Sequence, residues 1–383
     1  MNHPFRRLAA LLLAAAFLTP AALAADKHGD EAFREIAETP EANGCFSTQG
    51  MAAGASYVYS IQVNGDDSLS VVHRVDPVTG QADLMKYEDT RRTYFRNLRH
   101  ANGIDVHTID GVEYLFAASA EKLVMFRIDD DHLYQVGEYD ITYNGSPFSP
   151  SGLSVYKVDR AKIRFLFRSG YTVSLGEIAR GAEDGEIPVS VKCNLDVTRI
   201  PLDGEETDLS DFLNQGFCYR NNILYIVIAG CAKTETMHQS AILGYNISDA
   251  KGRVQPEPEL VFFIGSDRYR ALFEIEDCDL LPDGRMVFNA NRRLSDYDTN
   301  HDGVMMLDVA PFSAEPAPDT TAAPETSAAP VSDAEEPAAE TAPTESDPPA
   351  SAAGLPAPLL AAIIGGALGG VAAVLLLLRK KRP

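Results

Sequence analysis

The chain has 383 residues, with 55 acidic against 33 basic side chains and a formal net charge of −22. Nucleic-acid binding rests on cationic groups that meet phosphates, so this charge argues against a nucleic-acid partner. It also disfavours unassisted binding to anionic polymers of the cell envelope.

Residues 1–25 have the order of a secretory signal peptide. Arg6 and Arg7 supply positive charge, residues 8–18 form an apolar run too short to span a bilayer, and residues 22–24 read Ala-Leu-Ala. This small-x-small pattern is what a signal peptidase requires. We therefore expect export, with cleavage after Ala24 or Ala25.

Residues 26–312 form the predicted folded head. Nine of the 55 acidic and six of the 33 basic residues lie outside it, which leaves 46 against 27 and a head charge near −19. Its sequence is typical of short β-strands punctuated by Gly, Asp, Asn and Pro, and helical periodicity is weak and confined to 31–39. The predicted strands are 57–63, 69–76, 114–118, 122–129, 163–168, 223–229, 242–247 and 286–290.

All five cysteines lie in this head. None forms a Cys-x-x-Cys pair, which disfavours zinc binding and thiol-redox chemistry. The odd number leaves at least one cysteine unpaired within a chain, and one disulfide after export stays open.

A short phrase of a polar, a small or acidic, and an apolar residue recurs five times in the head, ahead of strand pairs. Successive copies start 53, 49, 64 and 61 residues apart. Such periods, with about four strands each, predict the blades of a propeller. The sequence therefore predicts an all-β, five-bladed β-propeller closed by a strand from near the N-terminus, with a pair of β-sandwiches as the competing fold. The copies contain Gln49-Gly50, Asn102-Gly103, Ser151-Gly152, Gln215-Gly216 and Glu276-Asp277.

Equivalent positions of the blades converge at the mouth of a propeller channel, so the polar residues of the repeat are the candidate ligand-binding site. A polar ring there could hydrogen-bond a sugar or hold a cation. It could equally serve only to satisfy channel water and backbone groups. The predicted site comprises Gln49, Asn102, Asp105, Ser151, Gln215, Glu274, Glu276 and Asp277.

The segment Asp298-x-Asn300-x-Asp302-Gly303 matches the start of a calcium loop, because oxygen ligands alternate ahead of a glycine. The twelfth position is Val309, where an EF-hand has Glu, and the flanking segments read as strands. Calcium is thus the one cofactor that the sequence suggests, with Asp296, Asp298, Asn300 and Asp302 as ligands. A metal-free hairpin loop is the alternative.

Residues 313–358 predict a disordered stalk. They are rich in Pro, Ala, Glu, Thr and Ser and contain no aromatic residue and no Lys or Arg. Such a segment cannot bury enough apolar surface to offset its ordering entropy.

Residues 359–378 predict a single transmembrane helix, since 20 uncharged residues match the thickness of a hydrocarbon core. Four cations open the basic tail, residues 379–383, and keep it on the cytoplasmic side. We therefore expect a single-pass cell-membrane protein with its N-terminal head outside the cell.

The segments STQGM (47–51), VDPVTG (75–80), HANG (100–103) and EIED (274–277) together resemble the helveticin J and teichoic-acid-biosynthesis-C-like propellers. The resemblance covers roughly residues 45–308. It implies a secreted five-bladed propeller associated with the cell envelope, and it carries over no catalytic residue. Asp277 in place of glycine, and the added stalk and anchor, depart from that family.

The preferred hypothesis is a binding or interaction module whose partner is a glycan or protein of the cell envelope or the extracellular space. The alternative is a surface-displayed glycan-active hydrolase that uses channel carboxylates such as Asp105, Glu276 and Asp277. Glycosidases need two carboxyl groups about 5–9.5 Å apart across the sugar, and a propeller can present them.

Overall fold

Residues 27–312, apart from 203–204, 232–233, 296–297 and 299–300, are described by a computed structural model. The predicted signal peptide, stalk and transmembrane segment lie outside the described residues. Where the structure describes the chain, it is all-β, with no α-helix and two short 3-10 turns, Asp30–Ala32 and Pro258–Leu260. None of these described helical turns is long and apolar enough to cross a membrane.

Five sheets of four to seven strands make up the described head, and the hairpin Ile200–Leu202 with Glu205–Thr207 stands apart from them. Sheet 1 contains Ser47–Ala53, Val58–Val63, Ser70–Val75 and Ala82–Leu84. Sheet 2 contains Gly103–Ile109, Val112–Ser119, Lys122–Asp129, His132–Tyr143 and Ser146–Pro147, with Lys86–Tyr87 and Asp184–Pro188 beside them. Sheet 3 contains Gly152–Val158, Lys162–Ser169, Thr172–Ala179, Ser190–Leu195 and Gly252–Val254. Sheet 4 contains Leu213–Arg220, Ile223–Ala229, Gln239–Asn246, Val261–Gly265 and Lys27–His28. Sheet 5 contains Leu272–Leu280, Met286–Arg293, Gly303–Leu307 and Phe33–Glu38.

The strand given first for each sheet is its inner strand. Each inner strand packs against the inner strands of the two neighbouring sheets. These contacts run in order from sheet 1 to sheet 5, and the inner strand of sheet 5 returns to that of sheet 1. Sheets stacked in a closed cycle around inner strands form a β-propeller. The predicted propeller is therefore confirmed, and the β-sandwich alternative is wrong.

The N-terminal strand Phe33–Glu38 completes sheet 5 by pairing antiparallel with Gly303–Leu307. This confirms the predicted closure of the ring by a strand from near the N-terminus. The weak helical signal at 31–39 is wrong beyond Ala32. Pairing with the last strand satisfies the backbone of this segment and buries Ala37, which outweighs a weak local preference.

The predicted strands are present, and two of them, Lys122–Asp129 and Ile223–Ala229, have the predicted bounds. Ile223–Ala229 is buried along nearly its whole length because neighbouring sheets cover both of its faces. Two-residue turns join the first hairpins of sheets 2 and 4, and both central residues of each turn have positive φ, as a type I′ turn requires. These turns are Asp110-Gly111 and Asn221-Asn222.

Candidate active site

The small residue of each repeat lies where the inner strands approach most closely. A Cβ added to Gly103 would lie 2.3 Å from the Cα of Gly152, and one added to Gly50 would lie 2.5 Å from the carbonyl oxygen of Ala101. Contacts this short leave no room for a side chain. We call Gly50, Gly103, Gly152 and Gly216, with Asp277 in the fifth position, the glycine ring.

The glycine ring divides the polar residues of the inner strands into two groups. Residues before the ring form what we call the upper mouth, and residues after it form the lower mouth. Asp277 belongs to neither, because its carboxylate lies within the ring against Gly216. It accepts hydrogen bonds from the backbone N–H of Met51 at 3.0 Å and of Cys278 at 2.9 Å. The structure thus gives Asp277 a packing role in the ring instead of the predicted place in a ligand site.

Two carboxyl groups meet at the upper mouth. Glu274 and Glu276 share a hydrogen bond, although they are two positions apart on one strand. Gln215, from the neighbouring inner strand, donates to Glu274 Oε1 at 2.7 Å. Asn291, from the second strand of sheet 5, donates to Glu276 Oε1 at 2.5 Å. We call Glu274 and Glu276 the acid pair.

Burial is the main cause that raises the pKa of both members of the acid pair. The charge of Glu274 raises the pKa of Glu276 further, whereas the hydrogen bond from Gln215 acts to lower that of Glu274. Two carboxyl groups in contact cannot both ionise cheaply. At neutral pH Glu276 therefore keeps its proton more readily than Glu274, so the pair offers one acid and one base.

Three other predicted site residues also lie before the glycine ring. Asn102 and Ser151 line a cavity of about 780 Å³ together with His100. The charge of His100 acts to lower the pKa of Glu274, so this cavity is electrostatically coupled to the acid pair. Gln49 is buried, and its amide nitrogen donates to Ser47 Oγ at 3.3 Å.

Asp105 lies at the lower mouth, away from the predicted ring of polar groups. Its carboxylate accepts from Ser154 Oγ and from the backbone N–H of Val155, both at 2.6 Å. Arg220 Nη2 donates to Asp105 Oδ1 at 2.9 Å and to Asp279 Oδ2 at 2.7 Å. Burial raises the pKa of Asp279 to about 6 despite the opposing effect of Arg220. Because Arg220 binds both carboxylates, Asp105, Arg220 and Asp279 together link sheets 2, 4 and 5.

The predicted calcium loop is divided by the structure. Asp298 accepts from the backbone N–H of Leu294 at 3.1 Å, whereas Asp302 is buried and accepts from the backbone N–H of Thr48 at 2.9 Å. Burial raises the pKa of Asp302 to about 7. Asp296 and Asn300 lie outside the described residues, and no cluster of three or more His, Cys, Asp or Glu poised to hold a metal occurs among those that are described. Calcium binding stays a prediction, with Asp302 an improbable ligand because it faces the interior.

Sequence reasoning missed Asn291 and Arg220, which position the two groups of carboxylates. Asn291 follows Phe288-Asn289-Ala290 in a strand that begins with the buried apolar residues Met286, Val287 and Phe288. A polar side chain at such a place is a signal that could have been used. Arg220 carries no such signal, because its position at the end of a strand before Asn221-Asn222 is typical of an exposed turn.

No protein-family model matches this chain, and no curated protein matches it. Among solved structures it is similar to an exo-β-1,3-galactanase from Clostridium thermocellum at 11% identity and a TM-score of 0.41, over 76% of this chain and 64% of that one. It is also similar to a β-xylosidase, RS223, at 8% identity and a TM-score of 0.43, over 75% of this chain and 98% of that one. A calcium-binding regucalcin from Agrobacterium tumefaciens strain C58 matches at 14% identity and a TM-score of 0.38, over 74% and 96% of the two chains. Likenesses this distant do not carry an activity to this chain.

The preference for a binding module over an enzyme is nevertheless corrected. The solved structures that resemble the head include a galactanase, a xylosidase and an arabinofuranosidase, which is a likeness of fold and not of activity. The reason for the correction lies in the residues. The upper mouth does not present a ring of five equivalent hydrogen-bonding groups but a coupled pair of carboxyl groups, which is the equipment of an acid–base catalyst.

Proposed function

We propose that this protein is a glycan-active hydrolase whose reaction takes place at the upper mouth of the propeller. The observation that carries the proposal is the contact between Glu274 and Glu276, where burial raises the pKa of both groups and the charge of Glu274 raises that of Glu276 further. Glycosidic hydrolysis needs one protonated and one ionised carboxyl group. Glu276 is buried and Glu274 is half-buried, and the neutral donors Asn291 and Gln215 orient the two carboxyl groups.

The chemistry follows from the two protonation states. A substrate that reaches the pair replaces the hydrogen bond between the two carboxyl groups and must part them to the separation of about 5–9.5 Å that glycosidic hydrolysis requires. Glu276 then donates its proton to the glycosidic oxygen as the bond to the anomeric carbon breaks. Glu274 accepts a proton from the water that attacks this carbon, so the products are a sugar hemiacetal and an alcohol.

The proposal includes the architecture around the site. We take each of the five sheets as one blade of a five-bladed propeller, since the five inner strands contact one another in a cycle. We also propose that the head is exported by the signal at 1–25, carried on the stalk at 313–358 and anchored in the cell membrane by 359–378. In that position it would meet glycans of the cell envelope or of the extracellular space, as propellers of the helveticin J type are expected to do.

The test uses the full-length protein in detergent with envelope polysaccharides and defined oligosaccharides, and it detects released fragments by mass spectrometry. Wild type should release fragments, and Glu276→Gln, which is nearly isosteric but cannot donate the same proton, should lower the rate at least about 100-fold. Glu183→Gln is the matched control, because Glu183 is exposed on an outer edge far from the upper mouth. Folded wild-type protein that releases nothing from the panel, or Glu276→Gln that retains full activity, would contradict the proposal.

A further inference from the structure

The cavity beside the acid pair has two arginines in its wall. It measures about 780 Å³, within the usual range for a small-molecule site. Arg96 and Arg99 line it together with His100, Asn102 and Ser151. We call this space the arginine cavity. Neither Glu274 nor Glu276 lines it, so it would hold a part of the substrate farther along the glycan from the cleaved bond.

Two exposed arginines, Arg96 and Arg99, and two carboxylates, Asp66 and Asp67, line this cavity. Asp67, which also lines the cavity, pairs with His100 Nδ1 at 3.1 Å, and Asp66 accepts from the backbone N–H of Ser68 at 3.1 Å. Neither Arg96 nor Arg99 forms an ion pair with another described residue. Arg96 contacts the ring of Tyr94, with its Cζ 5.7 Å from the ring centroid. In a head whose net charge is near −19 and disfavours anionic partners, these two arginines supply a local positive charge.

The loop that carries these residues is fixed before any ligand arrives. Arg99 and Ala101 have φ of +49° and +39°, conformations that non-glycine residues adopt at a cost. The carbonyl of Arg99 accepts from Ser70 Oγ at 2.8 Å, and that of Ala101 accepts from the N–H of Gly50 at 3.1 Å. Sheet 1 therefore holds this loop of the neighbouring sheet against the upper mouth.

We propose that the arginine cavity binds the carboxylate of an acidic sugar, so that the substrate is a glycan containing hexuronate. Arginine recognises carboxylate by paired, charge-assisted hydrogen bonds that a neutral sugar cannot form. The buried Oδ1 of Asn102 has no hydrogen-bond donor within the described residues and could accept from a sugar hydroxyl. This inference rests on the proposed hydrolase for the reaction, but binding can be measured without it.

The experiment compares the binding of two ligands of equal length, tetragalacturonate and the neutral galactose tetrasaccharide, to the full-length protein by calorimetry. Wild type should bind tetragalacturonate at least about tenfold more tightly, since hydrogen bonds to charged groups are the stronger ones. Arg96→Gln and Arg99→Gln should each weaken tetragalacturonate binding about tenfold or more, and Arg99→Lys should restore part of the loss. Arg270→Gln is the control, because Arg270 is exposed and, among the described residues, pairs only with exposed Asp267. Melting temperatures of all variants would show that they are folded.

Equal affinity of wild type for the two tetrasaccharides, or unchanged binding in both arginine variants, would overturn this inference. Tetragalacturonate that binds as expected but is never cleaved would support the acidic-sugar site and count against the hydrolase. Cleavage of the neutral tetrasaccharide without any binding of tetragalacturonate would support the hydrolase and reject the acidic-sugar site.

Discussion

The carboxyl group of Asp277 occupies the space that a side chain on Gly216 would need. A Cβ at Gly216 would lie 2.2 Å from the carboxyl carbon of Asp277. The fifth copy of the repeat has Asp277 where the other copies have glycine, and Gly216 on the neighbouring strand leaves room for the Asp277 side chain. The Asp277 carboxylate fills the space beside Gly216 and accepts hydrogen bonds from two backbone N–H groups. The glycine ring therefore remains closely packed at this position.

Gly216→Ala should destabilise the head by about 1–3 kcal/mol, since overpacking a filled interior forces neighbours apart. The loss should be smaller in an Asp277→Gly background, and a double-mutant cycle from urea unfolding measures the difference. Gly65→Ala is the control, because the nearest atom to its added Cβ, from Phe46, lies at an ordinary 3.5 Å. Additive effects of the Gly216 and Asp277 substitutions would show that the two sites do not compete for this space.

Arg220→Met should destabilise the protein by about 3–5 kcal/mol, because it leaves the buried carboxylates of Asp105 and Asp279 without their cation. Arg270→Met removes an exposed pair and should cost no more than about 1 kcal/mol. Chemical unfolding at pH 7 measures both. A small effect at Arg220 would mean that the lower mouth is not a cross-link.

The contribution of Asp302 to stability should fall as the pH rises from about 4 to about 7. Burial raises its pKa from 3.8 to about 7, so the folded protein binds the proton more tightly than the unfolded chain does. The contribution is fully present below about pH 4 and is lost as the pH passes through about 7. Arg292 and Arg293 act to lower the pKa of Asp302. Glu276 and Asp279, whose pKa values are also raised, act in the same direction as Asp302, whereas His73, whose pKa burial lowers to about 4, acts in the opposite direction.

Asp302→Asn should therefore flatten the decline in unfolding free energy between pH 4.5 and 7.5, by an amount on the order of a few kcal/mol at most. Urea unfolding at four pH values within this range measures it. A decline as steep as that of wild type would place the titrating groups elsewhere.

Calcium bound at the loop around Asp298 should raise the melting temperature by mass action when it is added at millimolar concentration. Asp298→Ala should abolish this increase, whereas Asp283→Ala, in a different hairpin turn, should leave it intact. Because Asp302 faces the interior, its effect on stability should be the same with and without calcium. An unchanged melting temperature in wild type would leave the loop as a metal-free hairpin.

Protease added to intact cells should release a head fragment cut within 313–358, since a disordered stalk offers accessible backbone. The fragment would be detected by mass spectrometry of the medium. Cleavage that occurs only after lysis would contradict the outward orientation of the head.

The sequence alone determined the all-β class, the propeller and its closure by an N-terminal strand. These follow from short-range chemistry repeated along the chain, namely alternating apolar residues, Asp-Gly and Asn-Asn turns, and a small residue at each close approach. Ile223–Ala229 could be placed to the residue because β-branched side chains fill it and turns bound it. The spacing of the repeat also predicted the position of the polar residue that precedes each small residue.

Only the tertiary structure decided which of these polar residues meet. Register shifts interrupt the pairing of the inner strands at Thr48/Met51, Asn214/Phe217 and Ile275/Asp277, and each shift changes the direction in which the following side chains point. Asp105, on a strand that pairs without such a shift, meets Arg220, 115 residues away, and not Glu276. Contacts across such distances leave no local pattern, because they arise from the closure of the ring. The same closure turns the Asp302 side chain inward to the backbone of Thr48, 254 residues away. The loop motif had instead predicted Asp302 as a metal ligand.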